Sequence, residues 1–283
     1  MGKGTGGHVG QGTIPVIGYS IDADATGRLW RIDLRTGVAT PVGPTGFRDI
    51  ESLSFSANGG LYGVDDATNQ LVRCNTQTGA CTAVGPLLRD VTDTGLAFSG
   101  DGRLWMSTDL PGPPYTFYRL NPSTGAATAI GPQGQPVTGL AFWNGVLYGL
   151  GGDSTDNLLI MNRQTGNATL RGPLVTVTLV DGGIDFDGSG VLWGIADAGG
   201  TPRPPAQVFT IDTTTGAATV VATVANGDGQ PLWGFESLAI SPSGLVPPEE
   251  EEPFVPEPAT LLLLGSGLVG LSGYAVSRRR KPQ

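Results

Sequence analysis

The chain repeats one unit of sequence five times, and this repetition restricts its fold more than any other feature. Each copy is anchored by a Thr-Gly turn, which in the clearest copies, 36–44 and 124–132, leads into Ala-Thr and then Gly-Pro. Related copies follow Gly79, Gly166 and Gly216. A period of about 45 residues is typical of β-propellers and solenoids. The 46 glycines and 22 prolines approach the composition of disordered chains, but the repeat places many of them at turns.

Each unit has room for four short strands, because runs of β-branched and aromatic residues alternate with Gly, Pro, Asn and Asp. The first strand is predicted at 51–55, 94–98, 138–142, 182–186 and 236–240. The second carries an aromatic residue at Tyr19, Tyr62, Trp105, Tyr148 and Trp193. The third is predicted at 29–33, 71–75, 117–121, 158–162 and 208–212, and the fourth follows each Thr-Gly.

The order of the strands indicates how the repeats close. They begin with a second strand, around Tyr19, and end with a first strand, around Leu238, so each strand type occurs five times. A terminal strand that completes the first blade would leave no long exposed sheet edge. We therefore predict an all-β fold: a five-bladed β-propeller at 17–241, closed by its C-terminal strand. A chain that began further upstream would instead have room for a sixth blade.

Two cysteines fit the same geometry. The loop at 76–79 places Cys74 directly opposite Cys81 on adjacent antiparallel strands. The equivalent pairs in the other units are apolar: Ile32 with Ala39, Leu120 with Ala127, Met161 with Ala168, and Ile211 with Ala218. We predict a disulfide between Cys74 and Cys81 in an oxidising compartment. The alternative is two buried thiols.

The composition changes sharply after residue 241. Residues 242–258 form a linker rich in proline and glutamate, which should stay extended. Residues 259–276 are uncharged and mostly apolar, and as a helix they would span roughly 27 Å, close to the ~30 Å of a bilayer core. We predict a transmembrane helix at 259–277. The basic end, 278–283, should remain in the cytoplasm by the positive-inside rule.

The tail combines Pro256-Glu257-Pro258, an apolar span and the cluster Arg278, Arg279 and Arg280. This order resembles the PEP-CTERM sorting domain of bacterial surface proteins. The resemblance implies recognition by an exosortase-type enzyme, passage through the inner membrane, and then a location at the cell surface or outside the cell. The alternative is an ordinary single-span anchor. An exported protein needs a signal peptide, and the glycine-rich segment 1–16 reads as disordered, so we expect the true start to lie upstream.

Acidic residues recur near one end of the predicted blades. One set follows the second strand, at Asp22, Asp65, Asp109, Asp153 and Asp197. Another set stands at the entrance to the first strand, at Glu51, Asp93, Asp181 and Glu236. Both sets of loops share one face of a propeller, where carboxylates would concentrate a negative field suited to Ca²⁺ or a cationic ligand. Both sets apart from Asp22 form the candidate site, and Ca²⁺ is the one cofactor considered. The alternative is that each Asp caps its own turn.

The aromatic residues of the second strand either pack between blades or line a groove for a saccharide. Because they recur at equivalent positions, packing is the better interpretation. Trp143, Trp233 and Tyr115 break the repeat, and we consider them candidates for contact with a ligand.

Charge and composition narrow the function. The net charge is −9, and lysine occurs only at positions 3 and 281, so a nucleic acid partner is excluded. The single histidine, His8, lies in the N-terminal segment, which removes the usual general base from the domain. We predict a non-enzymatic binding or extracellular-matrix protein of a biofilm, with extracellular polysaccharide as a candidate partner. The alternative is a divalent-metal-dependent hydrolase or lyase that uses the acidic face.

Overall fold

The computed structural model describes residues 15–22, 26–110, 112–152, 155–197 and 202–242. The predicted linker beyond Pro242, the transmembrane helix, the basic end and the sorting-motif residues lie outside this part of the chain, as does nearly all of 1–16. Val16 is described, and it packs against the core beside Ile32. Within the described residues, no helix is long and apolar enough to cross a membrane.

The described residues form five antiparallel sheets arranged as the blades of a propeller. Blade 1 begins with β1 (Ile17–Ile21), β2 (Arg28–Asp33) and β3 (Val38–Pro44). Blade 2 contains β4 (Ile50–Phe55), β5 (Leu61–Asp65), β6 (Gln70–Cys74) and β7 (Cys81–Pro86). Blade 3 contains β8 (Gly95–Phe98), β9 (Leu104–Ser107), β10 (Thr116–Leu120) and β11 (Ala127–Pro132).

The two remaining full blades follow the same order. Blade 4 contains β12 (Gly139–Trp143), β13 (Val146–Leu150), β14 (Asn157–Met161) and β15 (Ala168–Pro173). Blade 5 contains β16 (Asp181–Phe186), β17 (Leu192–Asp197), β18 (Gln207–Ile211) and β19 (Ala218–Thr223). Two short strands, β20 (Ala225–Asn226) and β21 (Ala239–Ile240), return to blade 1.

The C-terminal strand closes the ring, as the sequence predicts. β21 pairs with β1 through Gly18 opposite Ile240 and Tyr19 opposite Ala239. The innermost strands contact one another around the axis: β4 with β8, β8 with β12, β12 with β16, β16 with β21, and β21 with β4. The prediction of a five-bladed β-propeller is therefore confirmed.

The closing strand is shorter than the predicted 236–240. The N–H of Ile21 donates its hydrogen bond to the hydroxyl of Ser237, at 3.2 Å, instead of to a main-chain carbonyl. The main chain of Ser237 and Leu238 also lies directly against Gly183 of blade 5. These contacts take the place of main-chain strand pairing with β1 at Ser237 and Leu238. β20, which pairs in parallel with β3, was not predicted, because two residues give no periodic signal.

Apolar side chains are buried between neighbouring blades, and not in one central core. Between blades 5 and 1, for example, Ile195 and Val208 pack with Ile32 and Leu238. The repeated glycines serve the same interface. Gly79, with φ +81°, lies against the carbonyl of Gly43 in the preceding blade, so a side chain there would displace main chain. The Thr-Gly and Gly-Pro elements of the repeat are therefore the points where consecutive blades touch.

Strand register follows the sequence pattern. Cys74 lies opposite Cys81, and the equivalent pairs Ile32 with Ala39 and Leu120 with Ala127 are opposed in the same way. Cys74 and Cys81 are joined by a disulfide. The bond links adjacent strands of blade 2 and closes the short loop between β6 and β7.

We expect the disulfide to form in the exported protein and to stabilise the propeller by about 2 kcal/mol, because the closed loop is short. Alkylation without reductant, followed by mass spectrometry, should leave both cysteines unlabelled. Replacing both cysteines with alanine should lower the free energy of unfolding by about the same amount. Two alkylated thiols in periplasmic material would contradict the expectation.

Candidate metal centre

Three buried carboxylates meet at one mouth of the central channel. Glu51 comes from β4, Asp181 from the start of β16, and Glu236 from the segment that precedes β21. One oxygen from each lies within 4.8 Å of the others, although the residues are far apart in sequence. Their exposed fractions are 7%, 6% and 8%. Blades 5, 1 and 2, which are consecutive around the ring, thus supply the cluster.

The cluster is asymmetric because the repeats differ at this position. Glu51 and Glu236 begin the first-strand motif in their units, whereas blades 3 and 4 carry Thr94 and Thr138 there. Both threonines are occupied by other contacts: Thr94 Oγ1 lies 2.9 Å from Ser52 Oγ, and Thr138 Oγ1 donates to the carbonyl of Gly182 at 3.3 Å. The buried first-strand carboxylates are therefore on one side of the channel mouth.

One carboxylate oxygen of the cluster lacks a partner that would compensate for its burial. Glu51 Oε2 is buried and has no hydrogen-bond partner. Burial, followed by the neighbouring charges of Glu236 and Asp181, raises the pKa of Glu51 far above its usual range. Burial also raises the pKa of Asp181, and the charge of Glu236 adds to the effect. Such an arrangement is unfavourable when all three carboxylates are ionised, and a bound cation would offset their mutual repulsion.

A second group overlaps the first at Glu51. Asp49 and Asp66 place carboxylate oxygens within 4.8 Å of Glu51 as well as of each other. Burial, with Asp49 as the next cause, raises the pKa of Asp66 to about 7. Neither residue belongs to the candidate site predicted from the sequence. Their positions next to Glu51 and Asp65 were the available signal, since loops at one end of adjacent strands must lie together.

The other predicted acids have different surroundings. Asp65 accepts hydrogen bonds from the main-chain N–H of Asp49 and of Thr68, both at 3.1 Å. Asp109 accepts one from Thr92 Oγ1 at 2.9 Å, and Asp22 accepts one from the N–H of Arg28 at 2.7 Å. The bonds to Asp65 from Thr68 and to Asp22 from Arg28 are turn caps of the kind that the alternative interpretation expects, whereas Asp109 bonds to a side chain 17 residues away.

Asp197, Asp93 and Asp153 complete the account of the predicted acids. Asp197 is buried and forms an ion pair with Arg203. Asp93 adopts a left-handed backbone conformation, with φ +43°, and adds its charge to the field that raises the pKa of Asp181. Asp153 lies outside the described residues. The candidate site therefore contracts to Glu51, Asp181 and Glu236, with Asp49 and Asp66 beside it.

Arg203 supplies positive charge at the edge of the cluster. Its Nε donates to Asp197 Oδ1 at 3.1 Å, and its guanidinium lies 3.9 Å from Glu236 Oε1. The main-chain carbonyl of Arg203 accepts a hydrogen bond from the indole of Trp233, at 3.2 Å. Trp233 is 40% exposed, so an accessible aromatic ring stands close to the acidic mouth.

The repeated aromatic residues pack in the interior. Tyr19, Trp105 and Trp193 are buried, while Tyr62 and Tyr148 are half-buried against core clusters. Among the residues that break the repeat, Trp143 stacks on Phe186 with 5.4 Å between ring centroids. Tyr115 is half-buried in a turn with φ +53°. Trp233 is the most accessible of the three.

The raised pKa values predict how stability changes with pH when divalent cations are absent. The folded protein keeps protons on Glu51, Asp181 and Asp66 at pH values where the unfolded chain has lost them, so the free energy of unfolding should fall as pH rises. For Asp66 the fall should lie between about pH 4 and pH 7. We expect a total loss of roughly 1 to 2 kcal/mol after allowing for solvent screening.

Urea unfolding in EDTA at several pH values measures this dependence. Glu51→Gln should reduce the change in the free energy of unfolding with pH. This variant should be more stable than the wild type at pH 8, since the amide cannot ionise. Asp228→Asn, at an exposed turn, is the control for loss of one charge. A wild-type curve that rises between pH 5 and pH 7 would contradict the expectation.

Comparisons with known proteins identify the tail of the chain. Residues 254–281 match the family model of the PEP-CTERM protein-sorting motif. No curated protein matches the chain. Similar solved structures include a protein of unknown function from Bacteroides thetaiotaomicron, with 19% identity, TM-score 0.47 and coverage of 62% of this chain and 52% of that one. The chain thus spans about half the length of that structure.

Two further structures are similar to this chain. One is virginiamycin B lyase from Staphylococcus aureus, with 14% identity, TM-score 0.43 and coverage of 75% of this chain and 73% of that one. The other is a putative gluconolactonase, with 15% identity, TM-score 0.48 and coverage of 78% and 87%.

The matched segment contains the Pro-Glu-Pro motif, the apolar span and the arginine cluster, in that order. The resemblance drawn from the sequence is therefore confirmed. A signal of this kind implies passage into the membrane and then a location at the surface or outside the cell. This chain is an exported β-propeller that ends in a PEP-CTERM protein-sorting motif.

Proposed function

We propose that the propeller is a calcium-dependent binding protein of the cell surface or extracellular matrix, with Ca²⁺ held by Glu51, Asp181 and Glu236. The observation that carries the proposal is Glu51 Oε2, a buried carboxylate oxygen without a hydrogen-bond partner, beside two further buried carboxylates. Ca²⁺ takes oxygen ligands from carboxylates and tolerates irregular geometry. One ion would allow the three carboxylates to ionise together, which their burial and mutual repulsion otherwise oppose.

The enclosure of the cluster favours a binding role over catalysis. Each carboxylate is less than one-tenth exposed, and the guanidinium of Arg203 stands beside Glu236. A catalytic ion needs an open coordination position for its substrate, whereas an ion that braces the ring does not. By connecting blades 5, 1 and 2, Ca²⁺ would stabilise the part of the ring where the two ends of the propeller meet.

Extracellular polysaccharide is the partner that we propose for this face. The exposed indole of Trp233 is held by its hydrogen bond to Arg203, and Arg203 in turn contacts Glu236. An aromatic ring fixed beside a cation site can stack on a sugar ring while the surrounding polar groups bind hydroxyls. Binding should therefore depend on Ca²⁺ as well as on Trp233.

The test is titration of EDTA-treated protein with CaCl₂, followed by calorimetry and by thermal unfolding. We expect one Ca²⁺ per chain, and a gain of about 2.7 kcal/mol in the free energy of unfolding when Ca²⁺ is at 100 times its Kd. Glu51→Gln should weaken Ca²⁺ binding at least about tenfold, because it removes the buried charge. Asp228→Asn should bind Ca²⁺ like the wild type, since that residue is exposed. Equal affinities for the wild type and Glu51→Gln would refute the site.

A glycan and polysaccharide array, run with Ca²⁺ and with EDTA, tests the partner. Trp233→Ala should lose glycan binding without losing Ca²⁺. If the wild type binds Ca²⁺ but no glycan on the array in either condition, the cation site stands and the polysaccharide partner is rejected.

A metal-dependent hydrolase or lyase is the second candidate, and one observation favours it. Asp66, half-buried beside Glu51, has a pKa raised to about 7, which suits a group that transfers protons near neutral pH. A panel of lactones and polysaccharides tests this role. Ca²⁺-dependent turnover that is lost in Asp66→Asn and kept in Asp228→Asn would replace the binding function with the enzymatic one.

A further inference from the structure

The opposite mouth of the channel is lined by aromatic side chains. The innermost strands run from the acidic mouth to this end, where the repeat places Phe55, Phe98, Phe142 and Phe186 at equivalent positions. Trp143 joins them, and together these five residues are called the aromatic mouth. The space that they surround, including its opening to solvent, measures about 760 Å³. It lies at the other end of strands β4 and β16 from Glu51 and Asp181.

The aromatic mouth presents ring surfaces that are only partly covered. Phe55, Phe98, Phe142 and Trp143 are each half-buried, and Trp143 stacks on Phe186. Phe142 already has a cation on one face: the guanidinium carbon of Arg163 lies 5.0 Å from its ring centroid. Aromatic faces attract cations in this way through their quadrupoles.

The charged side chains that line the space at the aromatic mouth are acidic, while Arg163 contacts the mouth through the ring of Phe142. The lining includes Asp185 and Asp187, and among the described residues that line it there is no lysine or arginine. Asp187 is saturated, since it accepts bonds from the N–H of Ser189 and of Val191, the Ser189 hydroxyl and the Trp193 indole. Asp185 accepts two hydrogen bonds, from the N–H of Phe186 at 2.8 Å and of Ile240 at 2.7 Å. A carboxylate has about four acceptor positions, so Asp185 retains capacity for a further partner.

The charge of Asp185 is not needed for the packing of the ring. Its bond to Ile240 ties blade 5 to blade 1. Ser54 makes the equivalent bond between blades 2 and 3, where its hydroxyl accepts from the N–H of Phe98 at 3.0 Å. A neutral serine is therefore enough at this position, and blades 3 and 4 have Ala97 and Ala141 there. The acid is therefore a departure from the repeat, and it lines the same space as the five aromatic residues.

We propose that the aromatic mouth binds an organic cation with a quaternary ammonium head group, whose methyl groups contact the rings and whose charge faces Asp185. The aromatic rings and the single unsaturated carboxylate are complementary to such a ligand in charge. Burial raises the pKa of Asp185 to about 7, and a bound cation would favour its ionised form. This site is separate from the metal centre and does not depend on it.

The test uses choline and its neutral isostere, 3,3-dimethyl-1-butanol, with the full chain in maltoside detergent at pH 8. Calorimetry and ligand-observed NMR should show choline binding at least about tenfold more tightly than the isostere, which is the size of a cation–π and charge contribution. EDTA should not change this ratio. No choline binding, or equal binding of the two probes, would overturn the proposal.

Two variants connect the binding to the named residues. Asp185→Ser copies Ser54, so it should keep the bond to Ile240 and the melting temperature while losing the preference for choline. Trp143→Leu should weaken choline binding several-fold without removing the charge, and it tests the site even if the first variant fails to fold. If both variants kept the wild-type preference for choline over 3,3-dimethyl-1-butanol, the assignment would be overturned. The assignment would also be overturned if a chain ended at Ser243 bound choline and the full chain did not. The chain's own tail would then be the occupant of the aromatic mouth.

Discussion

A chain ended at residue 232 should lose most of the stability of the propeller, whereas a chain ended at Ser243 should melt like the full-length protein. The shorter chain lacks Phe235, Leu238 and Ile240, which are buried between blades 5 and 1. Burial of each such side chain contributes about 1.5 to 3 kcal/mol, and the typical stability of a domain is ~5 to 15 kcal/mol. The lost burial energy is therefore comparable with the total free energy of unfolding of the domain.

The shorter chain also exposes two sheet edges at once. β1 loses its partner β21, and β16 loses the neighbour that its Asp185 binds through Ile240. We expect the melting temperature to fall by at least ~10 °C, or the cooperative transition to disappear. Circular dichroism of both truncated chains, with Leu238→Ala in the full-length chain as an intermediate case, measures the effect. Equal melting temperatures for the two truncations would mean that the terminal strand does not hold the ring closed.

Replacement of Pro256, Glu257 and Pro258 with alanine should abolish most of the sorting while leaving the propeller unchanged. The motif lies within the matched segment, 254–281, and outside the strands. Proline restricts the backbone torsion φ, and the glutamate between the two prolines adds a negative charge, so alanine would change both properties of the motif. In a host with the sorting enzyme, we expect the variant to remain unprocessed in the membrane fraction. Mass spectrometry and surface proteolysis measure this.

The same linker contains a matched control. Pro247, Pro248 and Glu249 have the same composition as the motif, so their replacement with alanine changes the linker equally and should leave sorting intact. If both variants melt at the temperature of the wild type, the propeller is unaffected by either replacement. If both variants were processed like the wild type, the Pro-Glu-Pro motif would not be the recognition element.

Local pairings in this protein could be predicted well, because they depend on short-range geometry. Side chains alternate along a strand with a period of two, and the four-residue turns set which residues oppose one another. Cys74 and Cys81 were placed opposite each other on that basis, and they are. The predicted third strand at 71–75 differs from β6, Gln70–Cys74, by one residue at each end.

The shape of the closing segment could not be predicted in the same way. The motif at 236–240 matches the first strands of other blades, but only Ala239 and Ile240 pair as a strand. Ser237 bonds to Ile21 through its hydroxyl, a contact between residues at opposite ends of the propeller sequence. No local pattern carries that information.

The sequence by itself determined the repeat, the order of the strands, the opposed cysteines and the sorting signal, since each depends on local patterns in the chain. The number of blades was decided by the tertiary structure, in which β21 pairs with β1 and closes the ring at five. Only the tertiary structure decided which acids meet. Asp65 and Glu51 belonged to the same predicted set, yet Asp65 caps its turn while Glu51 joins Asp181 and Glu236 from other blades. The reason is that ring closure, and not chain distance, brings the first strands of blades 5, 1 and 2 together at one mouth of the channel.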